Sequence, residues 1–122
     1  MFTGAHVLLY SNDAEADRAF LRDVLQFPAV DAGHGWLIFK LPPAEAALHP
    51  TDGAPSQGHA MLGAELYLMC DDLQAAIQSL AAKNVVCTAI DKAAWGIKTT
   101  IRLPSGGAIG LYQPTHPTAL EL

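Results

Sequence analysis

The order of apolar and polar positions along the chain predicts short strands alternating with two helices. Apolar side chains alternate weakly over residues 5–10, which is typical of a strand. Over residues 14–25 they recur at helical spacing, directly after a Ser-Asn-Asp cluster that can cap a helix. A turn is expected at His34-Gly35, because glycine favours the backbone conformations that tight turns need. The other strands of this half are predicted at 28–31, 35–41 and 45–49.

The same order of elements recurs in the second half of the chain. A strand is predicted over 64–70 and a helix over 72–83, capped by Asp71 or Asp72. Ser105-Gly106-Gly107 has the form of a hairpin turn, and it lacks the lysine and the following helix of a phosphate-binding loop. The remaining strands are predicted near 86–90, 97–103 and 108–113.

A short pattern occurs twice, which indicates an internal repeat. Residues 39–50 and 101–114 both run apolar, basic, Leu, Pro, and both close on a proline. Such self-similarity predicts two copies of one supersecondary unit, here βαβββ. One copy alone leaves a sheet face and an edge uncovered. We therefore expect an α+β fold in which two βαβββ modules form a curved mixed sheet with outer helices and a concave cleft.

The composition fits one folded domain. The chain has 122 residues, 51% hydrophobic and 16% charged, so disorder is not expected. A net charge of −5 without a basic run argues against nucleic-acid binding, and no apolar stretch is long enough to span a membrane. The expected parts are module one at 1–50, a linker at 51–62, module two at 63–114 and a tail at 115–122.

The cysteines and the N-terminus bear on the compartment. Cys70 and Cys87 lie in apolar contexts and are interpreted as buried free thiols. Residues at the N-terminus lack the layout of a signal peptide. A cytoplasmic protein is therefore expected.

Strand alternation assigns side chains to the cleft. Val7 and Leu9 are expected to face the first helix, and Ile109 and Leu111 to lie in the core. The opposite face then lines the cleft with apolar and aromatic groups and two polar ones, a composition typical of small-molecule sites. This lining comprises His6, Tyr10, Ala46, Leu48, Glu65, Tyr67, Met69, Gly110 and Tyr112.

Two further residue pairs are matched by the repeat. Trp36 and Trp95 each adjoin a glycine, and either they form stacking platforms at the cleft mouth or they serve packing or dimer contact. Lys40 and Arg102 are either solvated strand-edge charges or groups that attract an anionic ligand.

Three segments carry a family resemblance. The stretch from His6 to Asp13, the Glu-Leu-Tyr-Leu-Met-Cys-Asp-Asp opening of the second half and the Gly-Leu-Tyr-Gln-Pro ending resemble the glyoxalase / bleomycin resistance / extradiol dioxygenase group, the vicinal oxygen chelate superfamily. The resemblance covers almost the whole chain. It implies a homodimer with clefts completed at the subunit interface. It also implies metal-ligand positions at His6, Ala46, Glu65 and Gly110.

The residues at those positions disfavour a metal. Ala46 and Gly110 have no donor atoms, and two remaining ligands are fewer than the three that open catalytic metal sites use. No cofactor is therefore expected. A divalent metal is the alternative, with Glu45 or His49 brought in by a shift of the strand register.

Two functions follow from these expectations. The first is a metal-free protein that sequesters an aromatic or planar small molecule in a dimeric cleft. The second is a metal-dependent or acid–base enzyme (a lyase, isomerase or ring-cleavage dioxygenase) with His6 and Glu65 as candidate catalytic residues, expected to pair on the cleft floor. The missing ligands favour the first. A third reading, a domain that binds only protein, is disfavoured by the aromatic cleft.

Overall fold

The computed structural model describes residues 4–50, 61 and 63–122, and within them the fold is α+β. The elements, in chain order, are α1 (Ala14–Asp23), β1 (Ala29–Asp31), β2 (Leu37–Phe39), β3 (Tyr67–Met69), α2 (Leu73–Ala81), β4 (Asp91–Ala93), β5 (Gly96–Arg102) and β6 (Ala108–Pro114). They form two compact units. The first unit comprises Met1–Lys40 and Arg102–Ala108, and the second comprises Leu41–Ile101 and Ile109–Leu122.

The first unit contains α1 and the antiparallel β1–β2 hairpin, in which Val30 lies opposite Ile38. The predicted turn at His34-Gly35 is confirmed. Its backbone is closed by the Ala32 N–H, which donates to the Trp36 carbonyl at 2.9 Å.

The start of α1 is fixed by carboxylates. Asp13 caps the helix by accepting the Ala16 N–H at 3.2 Å, which confirms the predicted cap. Asp17 is buried and accepts the Ser11 hydroxyl at 2.7 Å and the Ser105 N–H at 3.0 Å. Burial opposes ionisation of Asp17, but these donors outweigh it and hold its pKa below the usual 3.8. The contacts tie the first turn of α1 to the β5–β6 turn.

The second unit contains a mixed sheet with strand order β3-β6-β5-β4. Strands β3 and β6 are parallel, while β4 and β5 are antiparallel. Helix α2 starts at the predicted cap, where Asp72 accepts the Ala75 N–H at 3.1 Å. The Leu73 N–H donates to Gln113 Oε1 at 2.9 Å, which fastens the start of α2 to β6.

Alternate residues of the sheet form the core beneath α2. Leu73 and Ile101 are fully buried, and Ile109 and Leu111 are 7% and 5% exposed, so the prediction that the last two lie in the core is confirmed. Gln113 lies on the same face of β6 as Ile109 and Leu111, and its side chain contacts α2. Tyr112, which alternates with these residues, therefore points to the opposite face of the sheet.

Two predicted strands are wrong for the described chain. Residues 5–10 and 45–49 lie outside helices and strands. Residues 5–10 have strand-like composition, but a strand also needs a ladder partner, and here Val7 and Leu9 are 48% and 49% exposed instead of packed on α1. Residues 45–49 are alanine-rich and lie between prolines, which favours neither ladder bonds nor a pleated surface.

The second half differs in smaller ways. The strand predicted near 86–90 is reduced to one bridge between Cys87 and Ile101, and β4 starts after it. Both helices end two residues earlier than predicted. Most of the predicted linker at 51–62 lies outside the described residues, and the module boundaries stay a prediction. Among the described residues, no helix has the length and apolar character needed to cross a bilayer.

Candidate functional site

Three aromatic rings meet in the second unit, and we call Tyr67, Trp95 and Tyr112 the aromatic platform. Tyr67 lies in β3, Tyr112 in the adjacent β6, and Trp95 directly before β5. Ring centroids are 5.9 Å apart for Tyr67–Trp95, 5.7 Å for Tyr67–Tyr112 and 5.1 Å for Trp95–Tyr112. The interplanar angles of 78° to 88° are the edge-to-face geometry that ring quadrupoles favour. Each ring is thus held by the other two.

Glycines allow the rings to take these positions. The parallel register places Tyr67 opposite Gly110, and a Cβ at position 110 would overlap the Cδ1 and Cε1 atoms of the Tyr67 ring. A Cβ at Gly96 would overlap the Gln113 carbonyl oxygen, and φ there is +156°. Gly96 therefore lets the chain approach β6 closely beside Trp95.

A lysine ammonium lies over the aromatic platform. Lys98 Nζ is 5.3 Å from the centroid of Trp95 and 6.0 Å from that of Tyr67, within cation–π range. The same nitrogen is 3.9 Å from Asp91 Oδ2, a loose ion pair with a carboxylate whose side chain is 70% exposed. The Lys98 side chain is 29% exposed, so it is partly open to solvent beside the platform.

A second polar group adjoins Tyr112. His116 stacks on the Tyr112 ring, with its Nε2 3.3 Å from the Tyr112 hydroxyl oxygen. Its Nδ1 lies 2.7 Å from the Pro117 carbonyl, to which it donates, so in the neutral imidazole Nε2 accepts the phenol proton. Glu45 Oε2 is 4.0 Å from His116 Nε2, and Glu45 Oε1 accepts the Ala119 N–H at 2.8 Å. Burial, together with the charge of Glu45, raises the pKa of Tyr112 and keeps its phenol protonated.

The structure brings together only part of the predicted site. Tyr67, Trp95 and Tyr112 meet in the aromatic platform, and Met69 is half-buried in the same strand as Tyr67. Glu65 is exposed, and Leu48 is 85% exposed.

Other predicted site residues belong to the first unit. Tyr10 is 92% exposed, and Arg102 donates to the Gly106 carbonyl at 3.1 Å in the hairpin turn. Trp36 is 65% exposed and carries the Arg18 guanidinium 4.6 Å from its ring centroid. His6 is exposed in this unit while Glu65 belongs to the second, so their pairing stays a prediction.

Sequence reasoning missed Lys98 and His116 and named Glu45 only as an alternative ligand. Alternation along β5 and β6, read from the buried Ile101 and Leu111, would have placed Lys98 and Tyr112 on one face. The position of His116 depends on how the tail folds, for which the sequence offers no periodic signal.

The first unit has a surface cleft of about 450 Å³. Three of its charged groups already have partners, because Arg22 pairs with Asp23 at 2.7 Å, Asp31 accepts the Gly33 N–H at 2.7 Å and Arg18 lies over the Trp36 ring. The aromatic platform is therefore the stronger candidate. The cleft lining comprises Glu15, Arg18, Ala19, Arg22, Asp31, His34, Gly35 and Leu37.

The candidate metal ligands are not brought together among the described residues. Within 4–50, 61 and 63–122, no three side chains of His, Cys, Asp or Glu lie close enough to hold an ion. Ala46 is exposed and has no donor atom, and the space beside Gly110 is filled by the Tyr67 ring.

Comparisons with known proteins agree with this fold. The family model described as Glyoxalase/Bleomycin resistance protein/Dioxygenase superfamily matches residues 4–109. No curated protein sequence matches the chain closely enough to count as a relative.

Several solved structures are similar to the chain. TnmS3, an antibiotic binding protein from Streptomyces sp. CB03234, is 23% identical with a TM-score of 0.58, over 94% of this chain and 100% of that one. Lactoylglutathione lyase from Agrobacterium tumefaciens is 19% identical with a TM-score of 0.61, over 91% and 92%. An integron cassette protein from the mobile metagenome of V. Cholerae is 19% identical with a TM-score of 0.54, over 93% and 98%. At these identities the likeness establishes the fold.

Proposed function

We propose that the chain, which belongs to the glyoxalase/bleomycin resistance protein/dioxygenase superfamily, is a metal-free protein that binds a planar aromatic small molecule at the aromatic platform. The observation that carries the proposal is the three-ring cluster on the sheet face opposite α2. Tyr67 and Trp95 are half-buried and Tyr112 is 8% exposed, so a ligand would contact mainly the first two residues.

Rigid rings favour a flat ligand for two reasons. Stacking brings large apolar areas together, and the contact is worth about 0.5–1.5 kcal/mol beyond area burial. Because the edge-to-face contacts already hold the rings, little side-chain entropy is lost when the ligand binds. The Lys98 ammonium supplies a polar group that orients the ligand.

The donor set supports a metal-free site. Two of the four positions that hold metal in the family are Ala46 and Gly110 here, and restoring a side chain at 110 would require Tyr67 to move. An aromatic ring therefore occupies the space in which a ligating side chain would lie.

The fold alone does not select between binding and catalysis. The similar structures include an antibiotic binding protein and a lactoylglutathione lyase. The aromatic platform is what favours the binding function for this chain.

We propose that the chain forms a homodimer and that the protein is cytoplasmic. Leu8 and Tyr10 are 65% and 92% exposed in the single chain, and Val7 and Leu9 are about half exposed, which makes an apolar segment suited to burial in an interface. Light scattering should give twice the chain mass at micromolar concentration, and Leu8→Asp should shift it toward the monomer. A monomeric wild type would contradict the dimer.

Binding is tested by a thermal-shift screen of planar aromatic compounds, planar antibiotics included. The chain offers a matched pair of variants, because Trp36 and Trp95 are its only tryptophans and lie in different units. Hits should raise the melting temperature of wild type and Trp36→Leu, and lose most of this effect in Trp95→Leu. Equal shifts in all three proteins, or no hits among planar compounds, would contradict the proposal.

A second candidate, an acid–base enzyme, has one observation in its favour. Tyr112, His116 and Glu45 form a connected polar group beside the platform, with a neutral phenol as proton donor and an imidazole as acceptor. The test is turnover of each hit followed by mass spectrometry. Turnover by wild type that is lost in His116→Asn, with binding retained, would promote the enzyme. If mass spectrometry recovers every hit chemically unchanged, ligand binding without turnover remains the proposed function.

A further inference from the structure

The position of Lys98 specifies the charge of the ligand, an inference that rests on the proposed function. Aromatic faces attract cations, so a bare cluster of rings would suit a cationic ligand. Here the protein's own ammonium already occupies that position, over Trp95 and Tyr67 at 5.3 and 6.0 Å. A cationic ligand would have to displace Lys98 or lie beside a like charge.

The partner of Lys98 leaves room for another anion. Asp91 Oδ2 lies 3.9 Å away, beyond the 2.7–2.9 Å of a charge-assisted hydrogen bond. Asp91 is 70% exposed and lies at the start of β4, opposite Lys98 in the register. An exposed pair of this kind is worth little, so a ligand anion can compete with Asp91 for the ammonium.

We propose that the aromatic platform selects planar arenes that carry an acidic group, a carboxylate or a phenolate, and that Lys98 is the residue that determines this selectivity. The arene stacks on the exposed ring surface while its acidic oxygen accepts from Lys98 Nζ. Asp91 competes for the same ammonium and lowers the affinity for such acids.

The test compares three probes of one shape and different charge: 2-naphthoate, 2-naphthamide and 2-naphthylmethylammonium. Titration calorimetry at low ionic strength measures each dissociation constant for wild type and three variants. Lys98→Met keeps most of the apolar stem and removes the charge. Asp91→Asn removes the competing carboxylate. Lys92→Met is the matched control, since it removes one lysine charge from the exposed neighbouring strand.

Wild type should bind naphthoate at least about fivefold tighter than naphthamide, and the ammonium probe weakest. Lys98→Met should abolish the preference and leave naphthamide affinity within about twofold. Asp91→Asn should tighten naphthoate binding and leave naphthamide unchanged. The control should match wild type, and added salt should weaken naphthoate binding alone.

The outcomes separate this inference from the proposed function. Equal binding of naphthoate and naphthamide, tightest binding of the ammonium probe, or a preference that survives in Lys98→Met would overturn the selectivity and leave a planar-ligand site. If none of the three probes binds, the platform is not a planar-ligand site, and both proposals fail.

Discussion

Replacing Gly110 by alanine tests the geometry on which the site depends. The added Cβ would overlap the Tyr67 ring, so the ring must leave its place between Trp95 and Tyr112. Overpacking of this kind costs about 1–3 kcal/mol of unfolding free energy. Where no such overlap occurs, replacing glycine by alanine within a strand should stabilise the fold by about 0.5–1 kcal/mol, because glycine loses more backbone entropy on folding.

A double-mutant cycle isolates the contact. With the ring removed in Tyr67→Ala, the Gly110→Ala change should stabilise by about 0.5–1 kcal/mol. The coupling between the two changes is then about 1.5–4 kcal/mol, the sum of the cost in wild type and the gain without the ring. Urea unfolding followed by far-ultraviolet circular dichroism gives all four free energies.

The control for this cycle is Gly63→Ala. A Cβ at Gly63 meets no atom of the described residues within 4 Å, so this change should stay within about 0.5 kcal/mol of wild type. A Gly110→Ala variant as stable as wild type, or one whose cost is the same with and without the Tyr67 ring, would show that the ring does not fill the space beside Gly110.

Further predictions concern single groups. The folded-state pKa of Asp17 lies below 3.8, so the stabilisation from its carboxylate is present above that pH and is lost as the pH falls through the folded-state value. Asp17→Asn should lower the free energy of unfolding at pH 7 by about 1–3 kcal/mol. In urea titrations, this variant should also lose less stability on acidification than wild type. Tyr112 should ionise above the usual tyrosine pKa of 10 in an ultraviolet absorbance titration, and Glu45→Gln should lower that value, whereas an unshifted titration would count against the Tyr112–Glu45 contact. Cys70 is a half-buried free thiol whose pKa is raised by burial and by the charges of Asp71 and Asp72. Iodoacetamide should therefore alkylate native Cys70 more slowly than the unfolded thiol, and equal rates would contradict the raised pKa.

Local signals in the sequence were sufficient to predict the two helices and the residues that cap them. Asp13 and Asp72 cap helices where predicted, because capping depends only on residues within one turn. Ile109 and Leu111 are buried as alternation required. The aromatic residues of β3 and β6 also share a face, which the repeat and the strand period together predicted.

The remaining features of the fold and of the candidate site depend on long-range contacts that no local sequence pattern encodes. Residues 5–10 have strand composition, but pairing requires a partner at a particular distance and register. Lys98 reaches the rings through the pairing of β5 beside β6, and Glu45 reaches His116 through the path of the tail. These are long-range consequences of chain topology.

Ligand binding at the aromatic platform can be followed directly through the two tryptophan indole N–H signals in a ¹⁵N-correlated NMR spectrum, during titration with a planar ligand from the screen. Trp95 lies in the aromatic platform and Trp36 in the first unit, so one spectrum contains both the site and its control. The Trp95 signal should move with ligand concentration, through the ring current of the stacked ligand, while the Trp36 signal stays in place. Movement of Trp36 alone, or of neither indole, would contradict binding at the platform.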